Sequence, residues 1–329
     1  MAASAGGARQ QLRTVLGLLW LLDGLLQLQP VMWSRSFGSE TLASAGAGQP
    51  LAIGAPVRLF AGLVADHPVG FNVVFASAQL VIGAGLLLAR DPRRLRVVCA
   101  ASVAWALGIW VVGEGLGGLF GGHTSLSVGA PGAALLYLVL TVAAWPLDRP
   151  LDRWLPAVWT AVWLCGALLQ LLPAQRGGVG LGDQLEMGSM MSPRLLAGPE
   201  LQVALWLATL PAVLAALVSG GLVAGQAWIG IAVLRRGSRR IALRVGAGLA
   251  IVFWVACQGF GGLSTGSATD PGSAPLLVLL AFAVAAVPVE HRETSARQPT
   301  RPDRDPAVTS SERSSRPLTS VARTGGVRR

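Results

Sequence analysis

The 329-residue chain is 53% hydrophobic and only 13% charged, and its formal net charge is +10. A typical soluble domain carries roughly a quarter charged residues, so this composition excludes an ordinary water-soluble protein. Most of the basic residues lie in short connections and in the C-terminal tail, which is typical of a membrane topology signal rather than of nucleic-acid binding.

Apolar runs punctuated by polar turns predict an all-α polytopic membrane protein with eight transmembrane helices. The first four spans are predicted at residues 15–30, 70–89, 97–113 and 130–147. The last four are predicted at residues 156–173, 212–234, 241–256 and 274–288. The resulting domains are a cytoplasmic leader (1–12), two membrane segments (13–150 and 151–290) and a tail (291–329) rich in Arg, Ser, Thr and Pro, which predicts disorder.

The connections between these spans differ in character. An amphipathic stretch at residues 51–64 within the polar segment 31–68 is expected to lie in the membrane interface. Residues 174–200 are predicted to be a polar loop, followed by an interfacial or re-entrant helix that ends near Pro211. The glycine-rich stretch 114–129 predicts a tight turn or a re-entrant loop, because glycine allows close backbone approach.

The distribution of arginine predicts that both termini are cytoplasmic. With the N-terminus inside, the cytoplasmic segments hold Arg9, Arg13, the turns 90–96 and 235–244, Arg149, Arg153 and the tail. The longer outside loops hold only Arg35, Arg58, Arg176 and Arg194. An odd number of spans would remove this agreement.

The two halves of the chain align with each other at an offset of about 143 to 147 residues. The aligned blocks are 19–30 over 162–173, 79–83 over 226–230, Arg93-Arg94 over Arg239-Arg240, 110–119 over 254–263, and Ala130-Pro131 over Ala274-Pro275. Several blocks in one order at nearly one offset indicate an internal duplication. Because each half has an even number of spans, the halves are predicted to be parallel four-helix repeats.

Four polar side chains of the first half lie within the predicted spans or at the outer end of one: Asp23, Gln27, Gln79 and, directly after the third span, Glu114. Asp23 and Gln27 are four residues apart and share one helix face. Because ionisable groups inside a membrane normally face a partner or water, these residues are a candidate polar site that opens toward the outside. In the alternative interpretation, the glutamines bond across helices to fix the packing and Glu114 lies in the wet interface.

The second half keeps the amides of this set without its acids. Its counterparts are Gln170, Gln226 and Gln258, and Gly166 stands where the first half has Asp23.

Other chemistry-bearing residues give weaker signals. Met187, Met190 and Met191 are candidate Cu(I) ligands because thioethers are soft donors, but the matching loop of the first half lacks such a cluster and chance often produces one. The positions of His67, His123 and His291 exclude a bis-histidine haem within the membrane. Three scattered cysteines indicate no disulfide framework, and no catalytic residue set is evident.

Each half loosely resembles the small four-helix DoxX-like membrane proteins. The resemblance is carried by residues 17–24 in the first helix, residues 79–86 in the second and the basic turn that follows. The chain is also similar to uncharacterised actinobacterial integral membrane proteins with the signatures found here at residues 19–30 and 113–118. The DoxX-like family includes both quinone-linked subunits and members of no known activity. The resemblance therefore implies a fold more than a reaction.

Three functions follow from these observations as hypotheses. The first is a non-enzymatic component of the bacterial plasma membrane that partners a membrane or periplasmic-side redox protein. The second is a transporter of a small solute, an ion or protons, which duplicated bundles with polar groups in the membrane would suit. The third is a quinone-linked oxidoreductase subunit; apart from quinone the sequence indicates no cofactor, and it indicates no nucleic-acid partner.

Overall fold

The computed structural model describes residues 2–147, 151 and 153–288, with side-chain surroundings from residue 7 onward. The predicted disordered tail and Arg149 lie outside these described residues. Within them, all regular secondary structure is helical, as predicted. The α-helices are α1 (Ala2–Leu26), α2 (Leu51–Asp66), α3 (Pro68–Leu88), α4 (Pro92–Gly108), α5 (Ala133–Ala143), α6 (Leu155–Leu169), α7 (Gly177–Met191), α8 (Arg194–Ala208), α9 (Ala212–Ala232), α10 (Arg239–Ala256) and α11 (Ser273–Ala285).

Among the described residues, three helical segments are long and apolar enough to cross a membrane: Pro68–Leu88, Pro92–Gly113 and Ala212–Ala232. The second of these is α4 together with a π-helical turn, Ile109–Gly113, that continues it. Shorter apolar helices are α5, α6 and α11. The protein therefore has the helical and apolar character of a membrane protein.

One sequence expectation about local structure is wrong. Residues 174–200 are not a polar loop but contain α7 and the start of α8, a helix pair whose glycines at 178 and 182 lie against the α8 backbone. Polar and glycine-rich sequence predicts an irregular segment there, whereas tertiary packing makes it helical. The first helix begins at Ala2, so the predicted leader is continuous with α1.

The centre of the molecule is formed by α5 and α11, which pack against each other. Nine of the 13 residues of α11 are buried, among them Leu276, Leu280 and Val284. On α5, Leu136, Tyr137 and Leu140 are buried in the same hydrophobic core. The remaining apolar helices surround this pair, and many of their side chains, such as Val81 and Leu88 on α3, point outward.

The glycine-rich turns after α4 and after α10 have the same local geometry. The φ angles of residues 115–118 are 53, 58, 64 and 71°, and those of residues 259–262 are 50, 59, 67 and 69°. Only glycine adopts such left-handed angles freely, yet each run includes one larger residue, Leu116 or Phe260. A four-residue left-handed run is rare, so its occurrence at both places is an independent structural likeness between the halves.

Hydrogen bonds at these turns correct one block of the sequence alignment. The indole of Trp110 donates to Pro131 O at 2.8 Å, and that of Trp254 donates to Pro271 O at 2.7 Å. Pro131 therefore corresponds to Pro271 and not to Pro275. The first half has four extra residues between its left-handed run and this proline, and they shifted the alignment made from sequence alone.

Two arginines close the ends of the central helices. Arg9 at the start of α1 donates to the carbonyl oxygens of Ala143 and Trp145 at the end of α5. Arg239 at the start of α10 donates to those of Val284 and Val287 at the end of α11. Cations suit these positions because the last carbonyl groups of a helix lack intrahelical partners. The two contacts place the starts of α1 and α10 beside the ends of α5 and α11, respectively.

Candidate functional site: an acidic, aromatic-walled cavity

A cavity of about 620 Å³ lies within the first half of the chain. All four polar residues singled out by the sequence, Asp23, Gln27, Gln79 and Glu114, line its wall. They come from α1, from α3 and from the end of the helical segment that contains α4. The fold thus brings the predicted set together around one space.

Close packing between α1 and α3 positions three of these residues. The two helices approach each other at small residues: a side chain at Gly17 or Gly24 would meet Leu87 or Leu80 at under 3.0 Å, and one at Gly83 would meet the Gly17 carbonyl oxygen at 2.8 Å. Glycine at a helix interface allows such backbone proximity. Asp23 on α1 and Gln27, which directly follows α1, therefore lie close to Gln79 on α3, and all three are buried.

Glu114 has one structural contact and one free oxygen. Its Oε1 accepts a hydrogen bond at 3.0 Å from the amide of Ala134 at the start of α5, where a carboxylate also suits the helix dipole. The residue as a whole keeps some accessible surface, but its Oε2 is enclosed. Glu114 directly follows the apolar segment Pro92–Gly113, and burial raises the pKa of its carboxyl to about 8, with a further contribution from the charge of Asp270.

Some of the buried polar atoms that have no hydrogen-bond partner face this cavity. Within the described part of the chain, six such atoms line it: Asp23 Oδ1, Gln27 Oε1, Gln79 Oε1, Trp105 Nε1, Glu114 Oε2 and Tyr137 OH. A buried polar group left without a hydrogen bond costs about 1–3 kcal/mol. Several of them around one space of sufficient size indicate a site that water or a polar ligand completes.

The sequence interpretation missed two polar residues of the site. Tyr137, the only tyrosine in the chain, projects from α5 and interacts electrostatically with Asp23, although the two do not meet hydrogen-bond geometry. Asp270 reaches the cavity from the turn before α11, in the second half. A single tyrosine in an apolar span could have been recognised from the sequence as a candidate site residue. The sequence around Asp270 does not indicate that its side chain lines the cavity of the first half.

Aromatic side chains form one side of the cavity. Four of the eight phenylalanines, Phe37, Phe60, Phe71 and Phe75, line it together with Trp105. Phe75 is central to this group, with its ring centroid 5.9 Å from that of Phe71 and 6.0 Å from that of Trp105. We call these five residues the aromatic wall. Trp20 also lines the cavity and packs against Tyr137 at 4.4 Å between ring centroids.

The cavity reaches the molecular surface beside α3 and α4. Its exposed lining residues are His67 and two residues near the start of α3, Gly70 and Val74, together with Ala104 and Gly108 on α4. The outward side chains near them are apolar: Val73 is 49% exposed and Leu107 is 45% exposed. The opening is therefore bordered by apolar surface.

Gly166, which stands in the second half where the first half has Asp23, is closely packed. Leu126, from the turn of the first half, lies beside Gly166, where any side chain would meet Leu126 and Gln226 within 2.8 Å. Gln170 donates to Gln175 O at 2.6 Å, and Gln258 donates to Ser127 O at 3.1 Å. Gln258 Oε1 also accepts from Ala274 N at 3.3 Å, as Glu114 does from Ala134. These contacts agree with a packing role for Gln170 and Gln258, whereas both side-chain polar atoms of Gln226 are buried without a hydrogen-bond partner in the described chain.

Metal-binding geometry is not evident in the described residues. No group of three or more His, Cys, Asp or Glu side chains there could hold a metal ion. Met187 and Met190 lie on α7 with exposures of 46% and 73%, so they are not gathered in an enclosed pocket. The Cu(I) hypothesis therefore gains no support from the surroundings of these side chains.

Comparison of the chain with protein-family models, with curated proteins and with solved structures gives no match. The DoxX-like resemblance stays a prediction.

Proposed function

We propose that this chain is a multi-pass plasma-membrane protein whose eight crossings form two parallel four-helix repeats, with both termini in the cytoplasm. The contact of Arg9 supports an even number of crossings in the first half, because it brings the start of α1 to the end of α5. The contact of Arg239 supports opposite directions for α10 and α11, the last two helices of the second half. The matching left-handed runs support the duplication. In this arrangement α2 and α8, which carry exposed Leu59 and Leu195, lie in the interface.

This topology has a direct test. Reporter fusions or cysteine labelling within residues 115–129 and 259–273 should place both segments outside the cell. Opposite locations for the two segments would contradict parallel repeats.

The function that the cavity supports best is proton-coupled transport of a small solute. The supporting observation is the set of six unpartnered polar atoms, which line a space large enough for a ligand. Polar groups in the interior of a membrane protein are expensive and mark solute or proton pathways. With the pKa of its carboxyl at about 8, Glu114 can gain and release a proton near neutral pH, as coupling requires.

Transport can be tested in proteoliposomes that contain a pH-sensitive dye and the purified full-length chain. Amines, carboxylic acids and sugars are added in turn, and solute-dependent proton movement is recorded. One solute class should move protons in the wild type, and Asp23→Asn or Glu114→Gln should abolish the signal. Asp183→Asn, at an exposed position on α7, is the matched control and should retain it. A signal no larger than that of protein-free liposomes for every class would reject the proposal.

Quinone binding is the second candidate. Its supporting observation is the pair of donors, Trp105 Nε1 and Tyr137 OH, that face the cavity beside flat aromatic side chains, since quinone oxygens accept hydrogen bonds. Quinone reduction in membranes that is lost in Asp23→Asn would favour this function over transport. A redox-protein partner also remains a prediction, and crosslinking to a defined membrane partner would test it.

A further inference from the structure

The ionisable residues that line the cavity are mostly acidic, and this indicates which class of ligand the cavity would bind. Its lining includes the carboxyl groups of Asp23, Glu114 and Asp270, and no arginine is present among the described residues that line it. His67 is the one lining residue that can carry positive charge, and it is exposed at the opening. A ligand that supplies positive charge would therefore be favoured over an anion.

The three carboxyl groups are not equally free to bind a ligand. Asp270 accepts hydrogen bonds at 2.8 Å from Thr269 Oγ1 and from the amide of Gly272, so both of its oxygens have partners. One oxygen of Glu114 closes the start of α5. Asp23 is 2% exposed and its Oδ1 has no partner in the described chain. One carboxyl is thus primarily available, which matches a ligand with a single positive charge.

The aromatic wall favours an organic cation over a bare metal ion. The face of an aromatic ring attracts ammonium groups, most strongly in sites removed from water. A hard metal ion instead requires about six or more oxygen ligands or a compact donor set, and the described residues contain no group of acids, cysteines and histidines that would form one. Trp20, Phe75 and Trp105 offer ring surfaces in the same space as Asp23.

The opening of the cavity indicates that the rest of the ligand is apolar. Exposed lining residues Gly70, Val74, Ala104 and Gly108 are all small or aliphatic, and they lie on the outward sides of α3 and α4. A strongly hydrated solute would lose its water at such a border without compensation. A molecule with an apolar body would not.

We propose that the substrate of the cavity is a hydrophobic organic monocation, such as an aryl-substituted amine, whose charged group binds Asp23 and whose apolar part packs against the aromatic wall. This inference rests on the proposed function, since it names the solute class for the same site. Asp270 adds negative potential around the bound charge, and Glu114 does so once its carboxyl is ionised.

The test compares a quaternary ammonium with its uncharged carbon isostere. Benzyltrimethylammonium cannot lose its charge, and neopentylbenzene has the same shape without it. Binding to the full-length chain in lipid nanodiscs is measured by equilibrium dialysis. Because the chain has 11 tryptophans, only the fluorescence quenching that Trp105→Leu removes is assigned to Trp105. The ammonium should bind at least about tenfold more tightly than the isostere, because Asp23 and the aromatic rings attract its charge.

Variants then assign the binding to this site. Asp23→Asn should weaken ammonium binding by about tenfold or more, and Trp105→Leu should weaken it by a few fold, as expected for a single cation–π contact. Asp183→Asn should bind like the wild type. Because Asp23→Asn removes a charge but keeps the shape, folding is checked by size exclusion; if that variant fails to fold, Glu114→Gln and Trp105→Leu decide the question.

The outcomes separate this inference from the proposed function. Equal binding of the two probes, with loss in Trp105→Leu, would overturn the cationic substrate class and leave a ligand-binding cavity. Ammonium binding unaffected by the cavity variants would overturn the assigned site. The absence of binding by either probe would overturn the cationic class, while proton movement driven by another solute class would still support transport.

Discussion

Replacing Gly117 with alanine should destabilise the protein through two separable effects. Gly117 has a φ angle of 64°, where a residue with a Cβ loses about 1–2 kcal/mol relative to the right-handed conformation. Its Cβ would also overlap the carbonyl oxygen of Pro131, which is backbone and cannot turn away. Forced overlap in a packed region adds about 1–3 kcal/mol. The sum predicts a loss of about 2–5 kcal/mol in the free energy of unfolding.

Gly122 provides the matched control for this experiment. Its φ angle is 75°, but a Cβ there meets no described atom within 4 Å, so Gly122→Ala should show the conformational loss alone. Thermal unfolding of the purified chain in detergent should rank the wild type first, Gly122→Ala second and Gly117→Ala last. The reasoning would be refuted if Gly117→Ala were no less stable than Gly122→Ala. The pair Gly261→Ala and Gly266→Ala should repeat the ranking if the halves share one architecture.

Three further experiments examine other parts of the molecule. Arg9→Gln should lower the free energy of unfolding by about 1–3 kcal/mol, because carbonyl groups at the end of α5 lose their donor. Arg93→Gln is the control, since Arg93 is exposed, and it should not change the melting temperature. Tyr137→Phe should leave the melting temperature unchanged or raise it, because it removes a buried hydroxyl that has no hydrogen-bond partner in the described chain. Trp20→Phe should instead lower the melting temperature, because it breaks the 3.0 Å hydrogen bond from the indole to Ser102. Binding of benzyltrimethylammonium should strengthen as the pH rises through about 8, because burial raises the pKa of Glu114 to about 8 and keeps it uncharged below that value. A pH profile in Glu114→Gln as steep as in the wild type would argue against this last prediction.

Much of the helical framework could be predicted from the sequence, because apolar runs and their polar punctuation are local features. The segments 70–89 and 241–256 were located to within about two residues, which is the usual uncertainty at helix ends. The convergence of Asp23, Gln27, Gln79 and Glu114 was also predictable, since membrane-buried polar groups tend to face a common interior.

The other features of the cavity could not be predicted from the sequence, because they depend on contacts between distant parts of the chain. Asp270 lies in the turn Asp270-Pro271-Gly272, which predicts local structure only, and its place on the wall of the first-half cavity follows from how the two halves pack. The aromatic wall combines residues from a π-helical turn, from α2, α3 and α4, and no single helix carries its pattern. The hydrogen bond by which Glu114 caps α5 could not be predicted either, because it joins residues that are 20 positions apart in the chain.

The glycine-rich turn of each half is hydrogen-bonded to the other half. Gln29 of the first half donates to Ala268 O at 3.0 Å, and Gln258 of the second half donates to Ser127 O at 3.1 Å. A transporter that rocks one half against the other would have to release both bonds together, and it would withdraw Asp270 from the wall of the cavity in the same movement. In such a transporter, reorientation of the halves would remove negative charge from the site, which would favour release of a bound cation on the opposite side of the membrane.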